Sequence, residues 1–375
     1  MVIVCGVLTG LNKGAFAYYS RITSITIPDS VKSIGKSAFS GCTGLTSIII
    51  PDSVTSIGER AFYNCTGLTS VTIPDRVKSI GESTFSYCRG LTNVTIGKGV
   101  TSIGDRAFYE CTSLVSVTIG NSVSSIGREA FSVCCRLVEV YNKSSLYMTA
   151  GSSDSNNGYI TNYAKNVYSK EDGSKLSTDE NGYVIYTDGE ERILVAYQGN
   201  ETNLILPDGI TEINRYAFYK CTGLTGIAIP NSVTKIGYYA FYECEGLTSV
   251  TIPDNVTSLG SYTFSYCRGL TNVTIGNGVT DIGFETFSGC NRLTNVTIGN
   301  GVWSIGYRAF YYCTSLTSIT IPNSVTRFLG LVFEGCSNLV EVKYCGTEAQ
   351  WKDIYKHEST FNGVHKDFHI VFMEQ

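Results

Sequence analysis

The chain has 375 residues, a formal net charge of -4 and 16% charged residues, with no run of lysine or arginine. That balance lacks the basic footprint of a nucleic-acid binder, and no apolar run approaches the ~20 residues that span a bilayer, so membrane insertion of this chain is not expected. Met1-Val2-Ile3-Val4 lacks the charged n-region of a signal peptide.

One stretch is written over and over. From Cys65 to Tyr87 each key position returns 23 residues later, and Cys88 begins the next copy. A fixed period of this length dictates a stacked-coil architecture before local propensity is considered. Counting back from Phe16 puts Val4 at the position of Ile27 and Ile50, so the chain opens inside a repeat strand. A leader, a cap or further repeats are therefore expected upstream, because a terminal coil needs a polar cover.

Within a copy, Leu68, Val71 and Ile73 are apolar while Ser70 and Thr72 are polar, the period-2 alternation of a short strand. Pro74-Asp75 stops it, since proline brings no N–H to a ladder and aspartate favours a turn. Val77, Ile80 and Phe85 then point inward, and Gly81 is expected to permit a backbone turn. Such a coil cannot bury its apolar residues alone, and stacking about twelve of them around one parallel sheet does. Cysteines mark the same period from Cys42 to Cys134 and from Cys221 to Cys336. Bridging every rung would strain the coil, so buried thiols acting as small hydrophobes are expected. Cys5, Cys135 and Cys345 lie outside this ladder.

Phe131 and Phe218 are 87 residues apart, not a multiple of 23, so an insertion divides the array. The chain reads as a repeat block over 1–140, an α+β island over 141–203, a second block over 204–344 and a C-terminal cap over 345–375. In the island, Gly151 to Gly158 is a polar loop, and Ile160, Tyr163, Ala164 and Val167 predict a short amphipathic helix over about 158–169. Asp172-Gly173 reads as a turn. Tyr183–Tyr186 and Ile193–Tyr197 flank Asp188-Gly189, a hairpin signal. In the cap, Thr347 with Gln350-Trp351 and Ile354 predicts a capped helical turn, and Phe368–Phe372 a last strand.

The pattern Cys-x-x-Leu-x-x-Val/Ile-x-Ile-Pro-x-x-Val-x-x-Ile-Gly-x-x-Ala-Phe resembles the BspA-like subfamily of leucine-rich repeat proteins over nearly all of 1–140 and 204–344. The resemblance implies a right-handed repeat solenoid of α/β leucine-rich-repeat type, mostly strand and loop, in a secreted or cell-surface bacterial protein. Adhesion to proteins or cells is ascribed to some members.

No catalytic constellation is legible. His357, His365 and His369 are confined to the cap, and the flanks of the His365/His369 pair read as strand rather than zinc-binding helix, so neither a metal nor a cofactor is expected. Strand hydroxyls such as Thr72 and Thr95 have no histidine partner. Asn93, Asn272 and Asn295 match the glycosylation sequon because Asn is a ladder residue. The expectation is a non-enzymatic binding protein whose partner is an extracellular protein or a glycan. The alternative is a targeting or spacer module of a larger extracellular protein, attached to an enzyme domain.

The two positions before each Ala-Phe pair differ between the blocks. The first block carries Lys36-Ser37, Glu59-Arg60, Glu82-Ser83, Asp105-Arg106 and Arg128-Glu129. The second carries Tyr216, Tyr238, Tyr239, Tyr262, Phe284 and Tyr307 there. Aromatic rings are enriched at interfaces, so these six form the candidate binding surface. Packing of coil on coil is the competing role.

Overall fold

The computed structural model describes residues 2–3, 8–168 and 174–373. Val4, Cys5 and the Asp172-Gly173 turn lie outside them. The chain divides into two compact units, Met1–Ser174 and Lys175–Gln375. Each is a mostly-β parallel solenoid.

Each coil has three sides, and each side is laddered to the next coil by backbone hydrogen bonds. The strand Ser70–Ile73 pairs in parallel with Asn93–Ile96, Val71 opposite Val94. A two-residue strand, Ser79–Ile80, pairs with Ser102–Ile103. The third side is not a strand. There the N–H groups of Arg60, Phe62 and Asn64 donate to the carbonyls of Glu82, Thr84 and Ser86 at 3.0, 2.9 and 2.8 Å. Arg60 and Asn64 take left-handed backbone, φ 55° and 56°, which aims these alternate N–H groups at the same neighbour. The two positions recur around the array, for example at Tyr239 and Glu243. Left-handed residues are costly alone, and here the inter-coil bonds hold them.

The core is a pair of columns. Phe39, Phe62, Phe85 and Phe108 are fully buried, their rings near-parallel with centroids 5.1 to 5.3 Å apart. Phe218 to Phe333 continue the pattern in the second unit at 4.9 to 5.6 Å. Beside them runs the cysteine column, where each thiol except Cys221 donates to a phenylalanine carbonyl 26 residues earlier, Cys65 to Phe39 at 3.1 Å and Cys290 to Phe264 at 3.2 Å. The ladder cysteines are thus hydrogen-bonded thiols with a definite acceptor, a contact spacing alone did not disclose. Burial pushes the Cys42 thiol up to about 11 and the Cys290 thiol to about 12, and also raises Cys111, Cys134 and Cys267 well above the usual thiol range.

Two expectations need correction. Gly81 is not a left-handed turn residue. A Cβ there would lie 3.1 Å from the Glu59 nitrogen, so glycine is favoured by the close approach of the preceding coil. The helix expected over 158–169 does not form. Gly158 and Tyr159 are both left-handed, φ 57° and 63°, and the chain then enters the strand Asn166–Tyr168, paired in parallel with Glu139–Asn142. Only a 3-10 turn, Ser155–Asn157, precedes them. The helical spacing of Ile160 and Ala164 belongs to one more coil, with Ile160 and Ala164 buried against the first unit's core.

The hairpin stands as read. Tyr183–Asp188 and Glu191–Tyr197 pair antiparallel, and Ile193 then pairs in parallel with Glu212 in the short-strand ladder of the second unit. Residues 141–203 thus serve both units, the earlier part extending one and the hairpin beginning the other. In the cap, Thr347 closes a capping box on the helix Glu348–Asp353, and buried Trp351 meets Phe328 edge-on at 5.8 Å. Phe361 adds a last ring to the phenylalanine column, 5.5 Å from Phe333.

Left-handed sites also explain one glycine class. Gly289 has φ +72°, and a Cβ on it would meet the ring of Tyr266 at 2.7 Å. Gly289→Ala is expected to destabilise the second unit by about 1–2 kcal/mol, from strain and the displaced ring together. A double-mutant cycle with Tyr266→Ala checks this: the ring contribution disappears when both changes are present, and full additivity argues against the contact.

Candidate functional site

Two surfaces of the second unit carry side chains that the coil itself does not demand. The first is the sheet face. Ser249 and Thr251, Asn272 and Thr274, and Asn295 and Thr297 point outward in register, all exposed and uncharged. Where these strands end, Thr251, Thr274 and Thr297 together with Asn231, Asn277 and Asn300 line a shallow groove of about 490 Å³. The Asn277 carboxamide accepts from the Asn300 N–H at 2.9 Å, so this row is held rung to rung.

The second surface is the turn ridge with its left-handed residues. Tyr216, Tyr239 and Tyr262 occupy one left-handed position in successive coils and stack face to face, centroids 4.9 and 4.5 Å apart. Phe284 meets Tyr262 at 51° and stacks on Tyr307 at 5.2 Å, so the row passes from the second position of the pair to the first. Five of the six sequence-predicted residues therefore form one continuous row. Tyr238 stands outside it and is 55% exposed, while Phe284 is 37% exposed within it.

Stacking decides what the row can offer. Tyr216, Tyr239 and Tyr262 are half-buried and spend their ring faces on one another, so they show a ligand edges and hydroxyls rather than a flat platform. A parallel row was overlooked in the sequence: Tyr219 and Tyr242 stack at 5.5 Å, and Tyr239 meets Tyr242 edge-on. Its signal was present as the same 23-residue spacing, three residues further on. At the end of the ridge the Arg308 guanidinium lies over Tyr307 and Tyr311, 5.1 and 4.6 Å from the ring centres. Burial raises the Tyr262 hydroxyl above its ordinary value, so it stays protonated as a donor at neutral pH.

In the first unit the place of Tyr216, Tyr239 and Tyr262 is taken by Ser37, Arg60, Ser83, Arg106 and Glu129, while Tyr63, Tyr87 and Tyr109 still meet edge to face beside them. Lys36 pairs with Glu59 and Arg106 with Glu129, both at 2.7 Å and both across 23 residues. Among the described residues no group of three or more His, Cys, Asp or Glu could hold a metal, and no helix is long and apolar enough to cross a membrane.

Parallel coils of this length, with leucine, phenylalanine and cysteine at fixed inward positions, define a leucine-rich-repeat solenoid. The BspA type leucine rich repeat region matches residues 9–138, 196–283 and 262–357 in six copies. The chain belongs to that family. Among solved structures it is similar to a leucine-rich repeat protein from Eubacterium ventriosum, 25% identical over 92% of this chain and 83% of that one, TM-score 0.53. It is also similar to a leucine rich cell surface protein from Faecalibacterium prausnitzii, 27% identical over 94% and 86% of the two chains, TM-score 0.44. No curated protein matches.

Proposed function

We propose that the chain is a non-catalytic, secreted or cell-surface binding protein that presents its ridge to an extracellular protein or glycan. The observation that carries this reading is the contrast between two units with the same interior. Phe, Cys, Leu and Ile repeat at the same buried positions in both. At one left-handed position the first unit carries Ser37, Arg60, Ser83, Arg106 and Glu129 where the second stacks Tyr216, Tyr239 and Tyr262, so the coil does not require rings there. Aromatic side chains that folding does not demand, partly open to water, suit a contact surface. Within that surface Tyr238 and Phe284 make the contact, and Tyr216, Tyr239 and Tyr262 keep the ridge rigid. Membership of the BspA-type family supports the non-catalytic and surface parts of the reading.

The test is a glycan array and a panel of immobilised extracellular proteins, each probed with the intact chain. Tyr238→Ser combined with Phe284→Ser is expected to weaken the ligand found about tenfold, and Tyr238→Ser alone to weaken it in part without moving Tm, as for a surface hot spot. Tyr239→Ser is expected to lower stability instead, by about 1–2 kcal/mol, through loss of two stacked neighbours. If the first variant binds as the parent does, the ridge is packing only.

A further inference from the structure

A groove in the first unit joins an exposed isoleucine to two like charges. It lies beside the ends of the strands Ser24–Thr26 and Ser47–Ile49, has a volume of about 500 Å³, and is lined by Ile49, Asp29 and Asp52 among others. Two anomalies meet there. Ile49 pairs with Thr26 on the outward row of the sheet, which continues as Thr72, Thr95 and Thr118, and it is 81% exposed. Asp29 and Asp52 occupy the same turn position one coil apart, so two carboxylates stand on adjacent rungs.

Several charges at that spacing are paired with opposite sign, as in Lys36–Glu59, Lys220–Glu243 and Arg268–Glu245, and Glu59, which also has a like charge one rung on at Glu82, is held by Lys36. The next aspartate in the row, Asp75, is itself paired with Lys98 at 3.1 Å. Asp29 and Asp52 have no ion-pair partner among the described residues, and like charges on neighbouring rungs are unfavourable. The second unit supplies a contrast. Ile205 is as open as Ile49, yet the turn after it, Asp208, is followed on the next coil by Asn231.

We infer that this groove binds a basic peptide segment of a partner protein, an aliphatic side chain resting on Ile49 and cationic groups against Asp29 and Asp52. The complementarity is of charge and apolarity together: exposed isoleucine rewards an aliphatic contact, and the unpaired carboxylates reward lysine or arginine and repel acidic segments. The surface is separate from the tyrosine ridge, so the two readings stand or fall independently.

Fluorescence polarisation with the full chain and a labelled peptide of alternating lysine and leucine tests it. Binding is expected, weakening steeply with salt. Asp29→Asn with Asp52→Asn, and separately Ile49→Thr, are each expected to lower affinity about tenfold. Asn and Thr already stand at these rungs in other coils, so both variants keep the fold. Tyr238→Ser with Phe284→Ser should leave peptide affinity unchanged. Equal binding of an alternating serine and leucine peptide overturns the charge argument. Equal binding of a lysine and serine peptide overturns the role of Ile49. Sedimentation showing self-association that Ile49→Thr abolishes, with no peptide binding, assigns the groove to a second copy of the chain and overturns the inference.

Discussion

Phe264→Ala is expected to lower stability by about 3–5 kcal/mol, read from urea denaturation followed by far-UV circular dichroism. Phe264 is fully buried with Phe241 5.0 Å away on one side and Phe287 5.5 Å on the other. Each neighbour is fixed by its own rung: the Phe241 N–H donates to Thr263 and the Phe287 N–H to Ala309, at 2.8 and 2.9 Å. The void therefore cannot collapse, and the cavity cost adds to the lost transfer energy. Phe264→Leu should cost much less, because it keeps most of the volume. A loss below about 1 kcal/mol for the alanine variant would show that the column relaxes, contrary to a fixed ladder.

Raising the pH above 9 is expected to weaken the fold through the cysteine column. The folded thiols are raised, Cys42 to about 11 and Cys290 to about 12, from an ordinary 9.0. Above pH 9 the unfolded chain has released thiol protons that the folded chain still holds, so stability falls as pH rises. The contribution is fully present below pH 9 and is lost through about 11 for Cys42 and about 12 for Cys290. Each such thiol removes about 1.4 kcal/mol per pH unit in that window. Urea titrations at pH 8 and pH 10 give the slope, and Cys267→Ser with Cys290→Ser should make it shallower, since a hydroxyl donates without titrating. An unchanged slope in that variant would assign the alkaline loss elsewhere, with Tyr183, pushed up to about 12 by burial, the next group to test.

The interior was legible from the sequence because its physics is periodic. Phe85, Cys88, Leu91 and Val94 each meet a counterpart 23 residues away, so the spacing states the contact. The backbone of the third side was not legible. Left-handed residues there include Ser37, Arg60, Glu129 and Tyr216, with no composition in common except that the recurring position before each Ala-Phe or Thr-Phe pair avoids β-branched side chains. The helix expected over 158–169 failed for a related reason, since a coil returning to its strand spaces Ile160 and Ala164 as a helix does, and only the left-handed Gly158 and Tyr159 tell the two apart. On the candidate site, the tyrosine row could be named residue by residue, but its face-to-face stacking, which removes the rings' faces from any ligand, needed coordinates. Ile49 hid within Ile48-Ile49-Ile50, where an apolar run masks the outward position.

The third side has a bearing on how such a chain can change over generations. Because Arg60, Phe62 and Asn64 bond the following coil through backbone alone, any copy that keeps the inward letters can follow any other. Loss or gain of a whole coil would therefore leave no mismatched junction. Selection would then act on outward residues, Lys36 in one coil and Tyr239 in another, while the reading frame of the stack renews itself.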